Sequence, residues 1–453
     1  LDNDKGLQKK RAFLKSIWLQ TCAYLYKEER IRPEELRWSY PGSMMEADSA
    51  ELEKIFEELC RMTPITGGRQ PQLGRELTTE AEAVCSFALS RDFGLNKDNM
   101  FLGIDVGGST SYILLLAKDQ NNGNKSSLYR ESSVRIAAGV FFNAVIKSES
   151  FRQALVSFHE GRKTKVFVAN IKEVLTQPSK APYYLNSIFD QLKSESDYEE
   201  FYSSINNNAR FVFTIPAYVT GLLLFYSGML IGKTIKTEKM DHIRRVDVLS
   251  FGKGGRLFHW LRSSATQRVT NEYYENCLNA GVNLVTEKNL EVKYRDEIEI
   301  NNKAEVAMGL VDAKELIKKQ QEVDSDICGE TGVKYIMNDG TPKELQTEDE
   351  LTGEYFANEM NKFDFSGVTN FEKFMEIFID FVSQKTRLYP QADNLREELA
   401  DLPNRITSYI CNNDDEYRKA RRTQGDDFTY HQPIIIAEGA CFLDTLIKKA
   451  FNQ

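Results

Sequence analysis

The stretch NMFLGIDVGGSTSYILLLAKDQNNGNKSSLYRESSVRIAAGVFFNAVIK, Asn99 to Lys147, decides the fold. Met100 to Val106 is a nearly continuous apolar run that stops at Gly107-Gly108, and Tyr112 to Ala117 is a second. Short apolar runs bounded by turn residues read as buried strands. The polar QNNGNK at Gln120 to Lys125 predicts a hairpin turn into a third, alternating strand, Ser126 to Ile136. Ala137-Ala138-Gly139 and a helix from Val140 to Ile146 follow. Three antiparallel strands and a helix predict an α/β domain, and this order is the opening of a ribonuclease-H-like one, although other α+β folds begin the same way.

Working outward, Val246 to Phe251 predicts another strand, turning at Gly252-Lys253-Gly254-Gly255 into a helix that begins near Arg256 and carries Leu257, Phe258, Trp260 and Leu261. Between the two glycine turns, residues 150–208 are polar and mostly helical, with the look of an inserted subdomain. Phe211 to Gly232 then runs without a charge, long enough to span a bilayer. Thr214, Pro216, Tyr218, Gly221 and Gly228 dilute its hydrophobicity, so the expectation is a strand at Arg210 to Thr214 that breaks at Pro216 into a buried helix, with a membrane span disfavoured.

On the N-terminal side, Leu7 to Arg30 is an amphipathic helix with Leu14, Ile17, Trp18 and Leu25 at helical spacing. A strand at Leu36 to Tyr40 and a helix at about Ala47 to Arg61 follow, and Thr79-Glu80-Ala81-Glu82 is a capping box that opens a third helix. On the C-terminal side, Lys303 to Lys314 is a helix with small residues Ala304, Ala307 and Gly309, and Lys318 to Phe356 is acidic and loop-like. Helices are expected at Phe371 to Val382 and Asn394 to Cys411. A turn at Glu438-Gly439-Ala440 separates the apolar run Ile434 to Ala437 from a terminal helix. The expected domains are 1–98, 99–316 with an insertion at about 150–208, and an α/β extension at 317–453.

The whole chain has 453 residues, 41% hydrophobic and 28% charged, which is enough for two or three cores and excludes a largely disordered chain. A net charge of −9 argues against nucleic acid as a partner. The seven cysteines form no C-x-x-C pair and the four histidines do not cluster, which disfavours a disulfide framework or zinc site and fits the cytoplasm. Leu1 to Gly6 carries neither a signal-peptide pattern nor an initiator Met, so the sequence reads as a fragment or a processed product.

The chemistry-bearing segment is Gly103-Ile104-Asp105-Val106-Gly107-Gly108-Ser109-Thr110. Glycines there let backbone N–H groups surround phosphate oxygens, Ser109 and Thr110 add hydroxyls, and Asp105 can hold Mg²⁺ through water. The plainer alternative is that Gly107-Gly108 turns a hairpin and Asp105 hydrogen-bonds the turn. The segment is neither a Walker loop nor a Rossmann fingerprint, because no G-K-[ST] ends it and a strand follows it.

Arg37-Trp38-Ser39-Tyr40-Pro41, Glu80-Ala81-Glu82-Ala83, GIDVGGST, Ala137-Ala138-Gly139, FGKGGR at Phe251 to Arg256 and AEVAMG at Ala304 to Gly309 occur in an order that resembles the superfamily of sugar kinases, heat-shock chaperones and actin, nearest its chaperone branch. The resemblance covers about Leu7 to Leu316. It implies two ribonuclease-H-like domains, the first incomplete, that bind ATP. Asp105 would serve Mg²⁺, and Gly107, Gly108, Ser109 and Thr110 the phosphates. Gly139 would join the cofactor-binding set, and Glu80 would orient the attacking water or the metal. Gly252, Gly254 and Gly255 would admit ribose and adenine, with Arg256 stacking on the purine. Alternatively, Glu80 compensates the dipole of its helix and Arg256 is a solvated first-turn residue.

Two departures qualify the resemblance. The family's earlier phosphate loop, a D-x-G-[ST] hairpin, has no match before Leu7, and the residues after Leu316 exceed the common core. Ala437-Glu438-Gly439-Ala440 is a rival for the adenosine loop, though Glu438 sits poorly beside phosphates. The leading expectation is therefore a Mg²⁺-dependent, actin-like or chaperone-like ATPase in which nucleotide drives closure, slow or inactive without the first loop, with a protein partner met through the insertion or the extension. A catalytically inactive scaffold and a small-molecule kinase are the alternatives.

Overall fold

The computed structural model describes residues 2–29, 32–40, 46–63, 70–74, 78–90, 95–119, 125–163, 165–177, 180–194, 197–252, 254–263, 266–295, 304–311, 317–318, 326–336, 340–350, 363–367, 369–406, 408–409 and 432–451. The chain forms two compact units, Leu1–Phe93 with Ala304–Leu316, and Gly94–Lys303 with Ile317–Gln453. Helix Ala304–Val311 thus belongs with the first unit, whereas the expected boundaries kept it with residues 99–316.

In the first unit, α1 (Asp2–Tyr24) ends in a wider π turn at Leu25–Glu29. Trp18 and Cys22, one helical turn apart, pack with Ile55 and Leu59 of α2 (Glu46–Met62). The Trp18 indole N–H is shared between the Leu59 carbonyl at 3.2 Å and Thr63 Oγ1 at 2.9 Å. The expected strand at Leu36 to Tyr40 is split into Glu35–Leu36 and Ser39–Tyr40, paired in parallel with Gln72–Leu73 and Thr78–Thr79. The capping box forms as read from the sequence. Glu82 N–H donates to Thr79 Oγ1 at 3.1 Å, Thr79 N–H donates to Glu82 Oε2 at 2.8 Å, and α3 (Glu80–Ser90) begins there. Helix Ala304–Val311 crosses α3 so closely that a Cβ on Gly309 would overlap the Ala83 carbonyl oxygen.

The second unit is built on a mixed sheet of β1 (Asn99–Val106), β2 (Ser111–Asp119), β3 (Lys125–Val134), β4 (Arg245–Phe251), β5 (Glu291–Tyr294) and β6 (Ile317–Lys318). Their spatial order is β6-β3-β2-β1-β4-β5. β1, β2 and β3 pair antiparallel as the sequence predicts, with a bulge at Leu115/Leu116. β4 joins β1 in parallel, β5 joins β4 in parallel, and β6 joins β3 in parallel. The tip of the expected QNNGNK turn, residues 120–124, lies outside the described residues, but Asp119 faces Lys125 in the ladder on either side of it.

Four helices follow α4 (Gly139–Lys147) in the segment expected as an insertion: α5 (Glu149–His159), α6 (Lys165–Val174), α7 (Ala181–Ser194) and α8 (Tyr198–Ser204). They cluster with the rest of the second unit. Phe151, Phe189 and Phe201 enter the same hydrophobic core as Met100, Leu102 and Ile104 of β1, and Phe189 stacks on Trp260 at 4.5 Å between ring centres.

The expected strand at Arg210 to Thr214 is absent, because the chain there is already helical. A helical turn at Asn207–Arg210 and a 3₁₀ turn at Phe211–Phe213 lead into α9 (Thr214–Thr237). Pro216 falls in the first turn of α9, where a missing N–H and a fixed φ are tolerated. The span Asn208–Thr237 is apolar enough to cross a membrane, yet its most apolar window is wholly buried inside the protein, which is consistent with a soluble chain. α10 (Gln267–Asn283) lies against it backbone to backbone, since a Cβ on Gly228 would overlap the Leu278 carbonyl oxygen and one on Gly281 that of Phe225.

The C-terminal residues also join this unit rather than standing apart as an extension. β6 extends the main sheet, and Val333–Ile336 pairs with Pro342–Leu345 and Phe363–Asp364 where a loop was expected. α11 (Asn370–Asp380) and α12 (Ile434–Phe451) pack on α9. The expected turn at Glu438-Gly439-Ala440 lies inside α12. Its glycine serves close packing, because a Cβ there would overlap Leu222 Cδ2.

Candidate functional site

Because β1 and β4 run in parallel, with Asp105 opposite Phe251, the segments that leave them emerge at the same sheet edge. From β1 comes the bend Gly107–Thr110, closed by a hydrogen bond from Gly107 N–H to the Thr110 carbonyl at 2.9 Å. The start of α4 is tied to this bend. Ala138 N–H donates to the Gly107 carbonyl at 3.1 Å, and Gly139 N–H to that of Gly108 at 2.9 Å. Any side chain on Gly139 would occupy the space of that same Gly108 oxygen.

From β4 comes Gly252, held at φ +69°, a conformation in which glycine escapes the Cβ penalty. A Cβ there would overlap Asp105 Oδ1. Gly254 is buried against the end of β1, where a Cβ would lie 2.7 Å from the Ala138 Cβ and overlap the Val106 carbonyl. Gly255 N–H returns to the Gly252 carbonyl at 3.2 Å. Lys253 lies outside the described residues. The two bends therefore abut at Val106 and Gly254, with no crevice separating them at that level.

Open space lies on the other side of the first bend. Gly108 and Ser109 are exposed, and a Cβ on Gly108 would meet nothing within 4 Å. Among the described residues, no acceptor takes the N–H groups of Gly108 and Ser109. Thr110 is half-buried beside them. Two backbone donors of an exposed bend thus lie beside the N-terminal end of α4, to which the Gly107 and Gly108 carbonyls are bonded.

Asp105, Gly107, Gly108, Ser109, Thr110, Gly139, Gly252, Gly254, Gly255 and Arg256 thus belong to one local structure. Arg256 is not a solvated residue. Its side chain is 17% exposed and its guanidinium forms an ion pair with Asp190 of α7. Glu80 is the first residue of α3, in the first unit. Among the described residues, no group of three His, Cys, Asp or Glu side chains is placed to hold a metal.

Sequence reasoning missed Asp190, whose only signal was its position within a polar helix. It also missed Asp247, a buried carboxylate in β4. Asp247 accepts from Asn99 Nδ2, from Arg245 Nε and Nη2 at 3.2 and 3.1 Å, and from Arg295 Nε at 3.0 Å. This network binds β1, β4 and the residue after β5 near the edge opposite the glycine bends. Asp247, a charge inside the otherwise apolar predicted strand Val246 to Phe251, was the available hint. No protein-family model matches the chain, and no curated protein matches it.

Proposed function

We propose that this chain is a cytoplasmic, ATP-binding domain of the actin-like and chaperone-like ATPase kind, in which bound nucleotide drives a conformational change. The observation that carries the reading is the apposition of Asp105–Gly108 with Gly252–Gly255 at one sheet edge, beside the N-terminus of α4. The fold proposed for the second unit is ribonuclease-H-like. Its support is the order β3-β2-β1-β4-β5, with only β2 reversed. The first unit is proposed as an incomplete counterpart, supported by its short parallel ladders and the helices between them.

The chemistry of the bends suits a polyanion. The outward N–H groups of Gly108 and Ser109 and the hydroxyls of Ser109 and Thr110 would donate to phosphate oxygens, and the positive end of the α4 dipole would favour their charge. Mg²⁺ keeps most of its waters and takes one or two carboxylates together with substrate phosphates, so Asp105 alone is a fitting protein contribution. The metal would neutralise phosphate charge when bound. Gly252, only partly buried, would offer backbone rather than a side chain to a nucleoside, and Arg256, held by Asp190, would supply the cation beside it.

A second reading, an inactive scaffold that uses the fold without turnover, is favoured by the pairing of Arg256 with Asp190. Titration calorimetry with ATP and Mg²⁺ tests the first reading. Saturable heat that is lost in Asp105→Ala supports it, and no heat rejects it. Heat without phosphate release selects a binding protein that does not turn over.

A further inference from the structure

Away from the glycine bends, two buried glutamates meet. Glu330, fully buried, receives four backbone N–H groups. Oε1 accepts from Thr331 at 2.8 Å, Thr369 at 3.1 Å and Asn370 at 2.7 Å, and Oε2 accepts from Phe371 at 2.9 Å. Three of these donors form the N-terminus of α11, so Glu330 caps that helix from a separate loop. Glu438 of α12 is also fully buried, and no N–H or O–H donor reaches either of its oxygens. The turn of α12 that carries it packs on the Glu330 loop and on the start of α11: Ile435 N–H donates to the Cys328 carbonyl at 3.4 Å, a Cβ on Gly329 would overlap Ile435 Cγ2, and one on Gly439 would lie 3.6 Å from the Phe371 ring.

Two carboxylates cannot both be ionised in such a place. Glu330 already accepts four N–H groups and acts as the acceptor, whereas Glu438, with no donor on either oxygen, is the member that carries a proton and donates it. We infer that Glu330 and Glu438 form a shared-proton latch that fastens α12 to the loop at residues 326–331 and to the N-terminus of α11. A bound cation is a poor alternative, because the helix end and its N–H groups already present positive charge there.

Among the described residues, the groups that act on Glu438 are Glu330, Cys441 and Glu372, and none of them is a cation. Glu372 of α11 and Cys441 of α12 raise the Glu438 affinity for a proton, after burial and Glu330 itself. Tyr218 of α9 is coupled to Glu438, Cys441 and Tyr409, and its hydroxyl donates to the Gly439 carbonyl at 2.9 Å. On the loop, Cys328 is held as a neutral thiol by burial beside Glu330, Glu438 and Asp349. Loss of the proton would leave two buried negative charges, and separation of α12 from the loop would relieve them.

The test compares wild type with Glu438→Gln, whose amide can donate to Glu330 without a proton. A carboxyl raised in the folded state holds its proton while the unfolded chain loses one above about pH 4.5. One retained proton makes the folding constant fall about tenfold per pH unit through that window. Denaturant unfolding from pH 5 to 9 should show this slope in wild type and a flatter one in Glu438→Gln. Parallel slopes would overturn the inference. Infrared spectra of the wild-type protein at pH 7 give a readout independent of any variant: a neutral carboxylic acid C=O band supports the latch, and its absence overturns it.

Discussion

Asp105 Oδ1 occupies the position that a β-carbon on Gly252 would need. One residue is the last but one of β1 and the other follows β4, so the ends of two parallel strands far apart in sequence meet with a carboxylate resting against a glycine. Gly252→Ala would add a positive-φ penalty to this overlap and is expected to cost about 1–3 kcal/mol. Chemical denaturation checks it. An unchanged midpoint would mean that the bend relaxes freely.

At the other sheet edge, Asp247 neutralises Arg245 and Arg295. Asp247→Ala would leave both guanidiniums facing an apolar side chain, and breaking such a buried pair is expected to cost about 3–5 kcal/mol. Urea unfolding measures this. Asp247→Asn, which keeps one acceptor, should lose less.

The two acidic residues at the start of α3 have separable roles. Glu82→Ala removes half of the capping box and is expected to destabilise the first unit by about 0.5–2 kcal/mol. Glu80→Ala, which leaves the reciprocal cap in place, should cost less, about 0.3–1 kcal/mol from the lost first-turn charge. Differential scanning calorimetry of both variants tests the contrast, and equal losses would contradict it.

Burial sets the thiol chemistry. Cys22, Cys60, Cys85, Cys277, Cys328 and Cys441 are all buried, and burial pushes the Cys441 thiol up to about 11. A thiol raised in the folded state favours folding below the unfolded value of 9.0, and that contribution is lost as pH rises from there through the folded value. Iodoacetamide at pH 8 should therefore label these six far more slowly than in the denatured chain. Stability should decline above pH 9. Rapid native labelling of Cys441 would contradict its placement.

The legible parts of this protein were those written in a few adjacent residues. The apolar runs ending in Gly107 and the Thr79–Glu82 box carry their structure locally, through turn chemistry and reciprocal caps. Other segments were ambiguous for a physical reason. Phe211-Val212-Phe213 suits a strand as well as a helix, and the surroundings that bury it made it helical. Gly439 signals either a turn or close packing, and only the presence of Leu222 distinguishes them.

By itself the sequence determined where the chain bends, which strands form the first hairpins and where α3 begins, because these depend on backbone sterics and hydrogen bonds within a few residues. Only the tertiary structure decided that the Gly107 and Gly252 bends adjoin, that Arg256 is engaged by Asp190, and that the apolar segment Phe211 to Gly232 lies inside the protein. Those relationships depend on strand register and helix packing between residues distant along the chain, and no local pattern encodes them.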